Sequence, residues 1–329
     1  MLIDSFHRQI TYLRISLTDR CNLRCVYCMP AKGLSWIPNN QLVSDDEIIQ
    51  VVQAAAKLGI TKIRLTGGEP LVRPGLVGLV RRIVSIPGIQ DLSMTTNAIL
   101  LEKNARPLAE AGLKRVNISL DTLKPERFQQ ITRMGTYERA WSGIIAAEQA
   151  ALAPIKLNTV VMRGYNDDEL PELAMLSIHH PWHVRFIEVM PIGETQDRGE
   201  VFPGQDTHYI SVQEMHARLA ELSLQPLDPP DRNGPARTYR IPGAQGTVGI
   251  ISPLGENFCQ GCNRLRLTAD GILRSCLVMP GEVSIRDALR NHLPLEDYIR
   301  RAVAMKPRGH NLRVGYPAAT SRGMSQIGG

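Results

Sequence analysis

Short β-branched runs alternate with longer amphipathic stretches through the N-terminal two-thirds of the chain. The apolar pattern predicts strands at Tyr12–Leu17, Lys62–Leu65, Asp91–Thr95, Val116–Ser119, Ile155–Val161 and Val184–Val189. Between the first two, Ser44 and Glu47 stand at capping-box spacing ahead of Ile48, Ile49, Val51, Val52, Ala55 and Leu58, and Gly59 stops that helix. Further helices are expected at Leu76–Ser85, Asn104–Ala111, Tyr137–Ala150 and Asp168–Ser177. This rhythm implies parallel strands joined by right-handed crossovers. Six strand–helix units in place of eight predict an α/β partial (β/α)6 barrel of the TIM type, open on one side.

The segment Pro226–Gly246, rich in proline and glycine, reads as an irregular connector. Beyond it, strands at Thr247–Ile251, Arg264–Thr268 and Ile272–Arg274 and helices at Ser284–Asn291 and Glu296–Ala304 predict a smaller α+β region that covers the open barrel. The expected division is therefore 1–225 and 226–329. By composition the tail Lys306–Gly329 is a mobile terminus. The stretch Pro203–His208 carries no assignable motif.

In parallel strand–helix folds the loops at the carboxyl ends of the strands build the site. Those ends are polar here: Cys21-Asn-Leu-Arg-Cys25-Val-Tyr27-Cys28, Thr66-Gly67-Gly68-Glu69-Pro70, Thr95-Thr96-Asn97, Ser119-Leu120-Asp121, then Lys156 and Asn158, then Glu188 and Met190. Any one of these could satisfy a turn or a cap; their recurrence at successive strands points to a site. Gly67-Gly68 is either a flexible turn or a point where backbone approaches a ligand.

At 329 residues and 43% apolar content the chain can bury a sizeable core. No apolar run is long enough to span a membrane. A formal charge of +6 and an isoelectric point near 9.1 suit an anionic ligand, while no Lys/Arg run suggests a nucleic-acid arm. The six cysteines form two triplets, too sparse for a secreted disulfide scaffold, and point to a reducing cytoplasm. Cys21, Cys25 and Cys28 share one loop and suit a compact iron–sulfur cluster with one iron open. For Cys259, Cys262 and Cys276 the spacing alone leaves zinc and a cluster both open. Arg264 and Arg266 alternate with Leu265 and Leu267, which puts two guanidiniums on one strand face, an arrangement suited to phosphate.

The Cys-x-x-x-Cys-x-x-Cys loop and the Gly67-Gly68-Glu69-Pro70 loop resemble the signature pair of radical S-adenosylmethionine (SAM) enzymes. Within that superfamily the chain closely resembles the GTP 3′,8-cyclases of molybdenum-cofactor biosynthesis, nearly end to end, the block Cys-x-x-Cys-Asn-Arg-Leu-Arg and the terminal Gly328-Gly329 being the discriminating marks. The resemblance implies a barrel of the radical SAM type and two [4Fe–4S] clusters, one on each triplet. It implies that Tyr27, Gly68, Ser119 and Met190 contact SAM, and that Arg14, Arg64, Thr95, Lys156, Arg264, Leu265 and Arg266 contact GTP. Arg14, Gly328 and Gly329 would serve catalysis, with the tail threading into the site. A 5′-deoxyadenosyl radical would take hydrogen from ribose C3′ before C3′ closes onto C8. Expected partners are an electron donor such as flavodoxin or ferredoxin and a downstream cyclic pyranopterin monophosphate synthase. The enzyme would be a cytoplasmic monomer or homodimer, without nucleic acid or membrane. Ala98 departs from the glycine that many relatives carry after Thr-Thr-Asn. Two other readings are a radical SAM peptide or protein maturase, which usually carries more cysteines in its C-terminal region, and a non-enzymatic zinc protein, which leaves the Gly-Gly-Glu-Pro loop unexplained.

Overall fold

Alternation of apolar and polar residues at every second position fixes each strand and assigns its two faces. In the computed structural model, six strands follow in chain order: β1 (Tyr12–Ser16), β2 (Lys62–Thr66), β3 (Asp91–Thr96), β4 (Arg115–Ser119), β5 (Lys156–Val161) and β6 (His183–Glu188). The structure describes residues 1–192, 205–228, 234–256, 258–314, 316, 318–320 and 322–328. Each expected strand is present, and neighbours pair in parallel from β1 through β6.

Helices α1 (Asp45–Lys57), α2 (Leu76–Val84), α3 (Leu101–Glu110), α4 (Pro125–Thr132), α5 (Tyr137–Gln149) and α6 (Leu170–His179) make the crossovers. The capping box of α1 forms as its spacing predicts, with Glu47 N donating to Ser44 Oγ at 3.2 Å and Ser44 N to Glu47 Oε2 at 2.7 Å. The apolar pattern misses α4, whose start is marked only by Pro125 in its first turn. Leu13, Ile15, Ile63, Leu65, Val116, Ile118, Leu157 and Phe186 turn toward the helices and join Ile48, Val52, Val80, Ile83, Leu108 and Ile144 in one apolar core. Each such side chain, fully buried, contributes about 1.5–3 kcal/mol. The opposite strand face is free to be polar.

Six more strands, β7 (Gln225–Leu227), β8 (Arg237–Arg240), β9 (Thr247–Ile251), β10 (Arg264–Leu267), β11 (Ile272–Arg274) and β12 (Glu282–Ser284), extend the sheet at both edges. Its order is β12-β11-β10-β1-β2-β3-β4-β5-β6-β9-β8-β7. The region expected to cover the barrel thus also prolongs its wall: β10 runs parallel to β1, and β9 parallel to β6. An unpaired β1 or β6 would leave buried backbone groups without partners, and these pairings remove that cost. The boundary expected between 225 and 226 falls inside β7.

Two readings from composition are corrected. Pro226–Gly246 is not irregular throughout, because β7 and β8 form an antiparallel pair within it at the sheet edge, where Pro226 costs no interior ladder bond. Pro229 and Pro230 of that stretch, and Pro203 and Gly204 of the unassigned one, lie outside the described residues. The tail is not a loose terminus. Arg322 forks onto Asp270 at 3.1 and 3.0 Å, Arg274 donates to Thr320 Oγ1 at 3.2 Å, and a short helix, Met324–Ile327, ends with Ile327 buried. These partners are distant in sequence, so local composition could not reveal them. Among the described residues no helix is long and apolar enough to cross a membrane.

Candidate active site at the strand ends

The polar faces of the strands converge on one cavity of about 420 Å3, lined from every strand between β1 and β6 and from β8, β9 and β10. Register sets its wall. Arg266, Arg14, Arg64, Ser93 and Arg115 lie side by side across β10, β1, β2, β3 and β4, and Thr95, Asn117 and Lys156 form a second row. Like charges opposite one another on neighbouring strands are destabilising. The lining nevertheless includes Arg14, Lys62, Arg64, Arg115, Lys156, Arg185, Arg264 and Arg266, with Glu69 as the lone carboxylate among the described lining residues.

Burial, with Arg185, Arg115 and Arg64 nearby, holds the Lys156 ammonium down to about 7. Burial and the charge of Arg264 likewise bring Arg266 down to about 10, and burial with Arg64 brings Arg185 to about 10. The buried Tyr12 hydroxyl, Thr95 Oγ1, Asn117 Oδ1 and Asn158 Oδ1 have no hydrogen-bond partner among the described residues. Such a concentration of cations and orphaned polar atoms is a stability cost that a large, polyanionic, hydrogen-bonding ligand would offset.

The cysteine loop forms one end. Cys21, Cys25 and Cys28 all line the cavity. The loop is held by Arg24 N and Val26 N, which donate to Thr132 O and Ile131 O of α4, and by Arg133, which donates to Arg24 O and Met29 O at 2.9 Å. Leu23 N and Asn97 Nδ2 donate to Cys21 Sγ at 3.4 and 3.8 Å, the kind of contact that stabilises negative sulfur. Burial raises the Cys21 thiol to about 12 and Cys25 well above its ordinary value, so metal must displace the protons. Among the described residues no group of three or more His, Cys, Asp or Glu side chains is set to hold a single metal ion. A cluster asks something different, each thiolate binding its own iron.

Gly67-Gly68 has a definite purpose. A Cβ on Gly68 would lie 2.2 Å from Arg20 O, and one on Gly67, at φ +149°, 2.5 Å from Thr18 O. The close approach is therefore made first to the backbone that leads into Cys21, with Gly68 N donating to Thr18 O at 2.7 Å and Glu69 N to Arg20 O at 2.8 Å. Glu69, buried, then ties this loop to β3 by accepting from Thr96 Oγ1 at 2.8 Å and Asn97 N at 2.7 Å; burial lifts its carboxyl to about 7. Next to this anchor Ala98 adopts φ +64°, the left-handed conformation that favours glycine, so the departure from glycine expected there carries a backbone cost.

Of the residues expected to meet SAM, Tyr27, Gly68, Ser119 and Met190 all line the cavity, and Tyr27 OH donates to Asp121 Oδ2 at 2.8 Å. Of those expected to meet GTP, Arg14, Arg64, Thr95, Lys156, Arg264 and Arg266 line it. The Leu265 side chain is buried in the apolar core, which leaves only its backbone for a ligand. Sequence reasoning passed over Tyr12, Lys62, Arg115, Asn117 and Arg185. Strand alternation finds Tyr12 from Arg14, Lys62 from Arg64, and Asn117 and Arg115 from Ser119, whereas Arg185 follows from the pairing that sets it opposite Asn158.

Cys259, Cys262 and Cys276 are not among the described lining residues, whereas their neighbours Phe258, Asn263, Arg264 and Leu277 reach the cavity. Burial pushes the Cys262 thiol up, but Lys306 and Arg264 more than offset it and leave the thiol below its ordinary value. The tail enters here too. Arg266 Nη1 donates to Gly328 O at 2.6 Å, and Gly328, at φ +68°, sits where a Cβ would meet Thr66 Cγ2 at 2.8 Å. Gly329 lies outside the described residues.

Residues 15–176 match the Radical SAM superfamily model and residues 182–312 the model described as Molybdenum Cofactor Synthesis C. The chain is 49% identical to the GTP 3′,8-cyclase of Pelotomaculum thermopropionicum, over 99% of both proteins, and 48% identical to that of Heliobacterium modesticaldum, over 100% of both. Among solved structures, Streptococcus suis SuiB bound to S-adenosylmethionine superposes with a TM-score of 0.59 at 14% identity, covering 89% of this chain and 68% of that one, which is a likeness of fold. With such identity over its whole length, the chain belongs to the GTP 3′,8-cyclase family of the radical SAM superfamily.

Proposed function

We propose that the cavity cyclises GTP to (8S)-3′,8-cyclo-7,8-dihydroguanosine 5′-triphosphate in molybdenum-cofactor biosynthesis. One observation carries the reading: the cysteine loop and a wall of cations line the same cavity. The first triplet would hold a [4Fe–4S] cluster and, with it, SAM. When bound, this pair supplies a 5′-deoxyadenosyl radical able to take the ribose C3′ hydrogen.

The protein's own residues supply placement. Tyr27, braced by Asp121, with Gly68, Ser119 and Met190 would seat SAM at the cysteine end. Arg14, Arg64, Lys156, Arg264 and Arg266 would hold the triphosphate by charge-assisted hydrogen bonds, with Thr95 meeting the nucleoside. Fixing the sugar against the adenosyl group in this way turns a bimolecular encounter into a positioned one. Cys259, Cys262 and Cys276, three soft donors, suit a second [4Fe–4S] cluster beside the guanine. Arg14 and the Gly328-Gly329 tail would complete the site and exclude water, Gly328 O already accepting from Arg266.

Residues 1–225 would then provide the SAM-binding half, and residues 226–329 the auxiliary thiols and the tail. A reducing cytoplasm would keep the six thiols available for iron. A flavodoxin- or ferredoxin-type donor would deliver the electron, and a cyclic pyranopterin monophosphate synthase would take the product. The test is anaerobic reconstitution with iron and sulfide counting, then incubation with SAM, reductant and either GTP or ATP. About eight irons per chain and cyclised product from GTP alone are expected. Zinc without iron, or 5′-deoxyadenosine without any cyclised nucleotide, would contradict the reading.

A further inference from the structure

Lys306 is a buried cation that takes no part in the proposed reaction. Its ammonium has three N–H donors, and three acceptors meet them: Cys262 Sγ at 3.4 Å, Arg264 O at 2.8 Å and Ser275 O at 2.9 Å. The two carbonyls belong to residues adjoining the triplet, one just after Cys262 and one immediately before Cys276. The side chain therefore bridges the strands that deliver two of the three thiols. Among the described residues no carboxylate pairs with it. The contrast with its neighbour is informative, because Arg8, also buried, donates to Cys259 O at 2.7 Å while its charge is balanced by Asp4 at 2.6 Å.

An ammonium buried among neutral acceptors is costly unless a negative group compensates it. The sulfur atoms are the remaining source of that charge. A four-iron core in its 2+ state bound by three thiolates has one net negative charge, which one buried lysine balances.

We propose that Lys306 is the fixed counter-charge of the second cluster and that its N–H on Cys262 Sγ raises that cluster's reduction potential. The inference rests on the reading that the second triplet holds a cluster. Net charge and hydrogen bonds to sulfur are among the factors that set such potentials. The residue acts through Cys262, so its role is positioning and tuning, with no contact to substrate required.

The test uses the full chain with Cys21, Cys25 and Cys28 replaced by Ala, so that iron and the paramagnetic signal report on the second triplet alone. Iron content and a redox titration followed by electron paramagnetic resonance compare this parent with Lys306→Met and Lys306→Arg versions. Lys306→Met is expected to keep its iron while its reduced-to-oxidised ratio at a fixed potential falls about tenfold, a shift of about 59 mV for a one-electron couple. Lys306→Arg should stay near the parent. An unchanged potential in an iron-loaded Lys306→Met protein overturns the inference and leaves the second cluster standing. If Lys306→Met sheds its iron, retention by Lys306→Arg supports the counter-charge, and loss from both overturns it. A parent that binds no iron at the second triplet overturns the two-cluster reading and this inference with it.

Discussion

Replacing Gly68 by alanine tests how the family's second signature loop supports the first. The added Cβ would lie 2.2 Å from Arg20 O, 2.5 Å from Arg20 C and 2.6 Å from Asp19 O, all backbone atoms that no rotamer change can move. Ordinary contacts need about 3.5 Å, so the two loops must part by about 1 Å. That separation strains the bonds from Gly68 N to Thr18 O and from Glu69 N to Arg20 O. Overpacking costs about 1–3 kcal/mol and a buried amide left unpaired about 1–3 kcal/mol more, so a loss of about 3 kcal/mol is expected. Because Cys21 follows Arg20 directly, iron retention at the first triplet should fall as well. Gly78→Ala is the control. Gly78 is exposed in α2 with nothing within 4 Å of its Cβ position, and alanine there should gain about 0.5–1 kcal/mol from helix propensity. Anaerobic urea denaturation, iron per chain and 5′-deoxyadenosine release read both variants. A Gly68→Ala protein with the parent's midpoint and iron content would refute the argument.

Serine at Cys259, Cys262 or Cys276 should leave SAM cleavage measurable and abolish the cyclised nucleotide, because a hydroxyl is a poor iron ligand; chromatography of both products decides, and parent-rate cyclisation contradicts it. Arg264→Ala and Arg266→Ala should each weaken GTP binding by about 1.5–3 kcal/mol, roughly ten- to a hundredfold. Arg266→Ala should also free the tail from its 2.6 Å contact at Gly328 O and make it more sensitive to protease, so calorimetry and limited proteolysis together read this variant, and unchanged affinity counts against it. Lys156 is held near 7 by burial and the surrounding arginines, so above pH 7 the ligand-free side chain is mostly neutral and a bound triphosphate must draw a proton onto it. GTP affinity should therefore fall as pH rises from about 7 to 9, a range in which the ligand phosphate is already ionised. Lys156→Arg should flatten that profile, and a parent profile equally flat would contradict the assignment.

The fold was legible where local physics decides it. Leu13-Arg14-Ile15 and Lys156-Leu157-Asn158 alternate so strictly that both the strand and its inward face follow from the sequence. The cysteine spacing placed a metal loop at the end of β1 for the same reason. What escaped was set by distant contacts. Nothing local says that β10 pairs with β1 or β9 with β6, and these pairings make the C-terminal region part of the wall. Likewise Arg322 reaches back to Asp270, and Arg266 to Gly328, so a glycine-rich tail reads as loose until those partners are seen. The Gly67-Gly68 pair was ambiguous because a glycine's reason lies in the atom it must avoid, here Thr18 O and Arg20 O. Arg115 was readable by alternation from Ser119, whereas Arg185, which opens the run Arg185-Phe-Ile-Glu-Val-Met190, gains its place in the wall from the pairing that sets it opposite Asn158.

The central claim is that this one cavity brings the ribose C3′ of GTP to the adenosyl group of SAM. The most direct measurement is the mass of 5′-deoxyadenosine formed anaerobically from GTP carrying deuterium at C3′. The account predicts that the released 5′-deoxyadenosine gains a single deuterium, that the cyclised nucleotide loses it, and that both effects vanish in the Cys21, Cys25 and Cys28 variants. Cyclised nucleotide that retains the C3′ deuterium, or that forms alongside unlabelled 5′-deoxyadenosine, would contradict it.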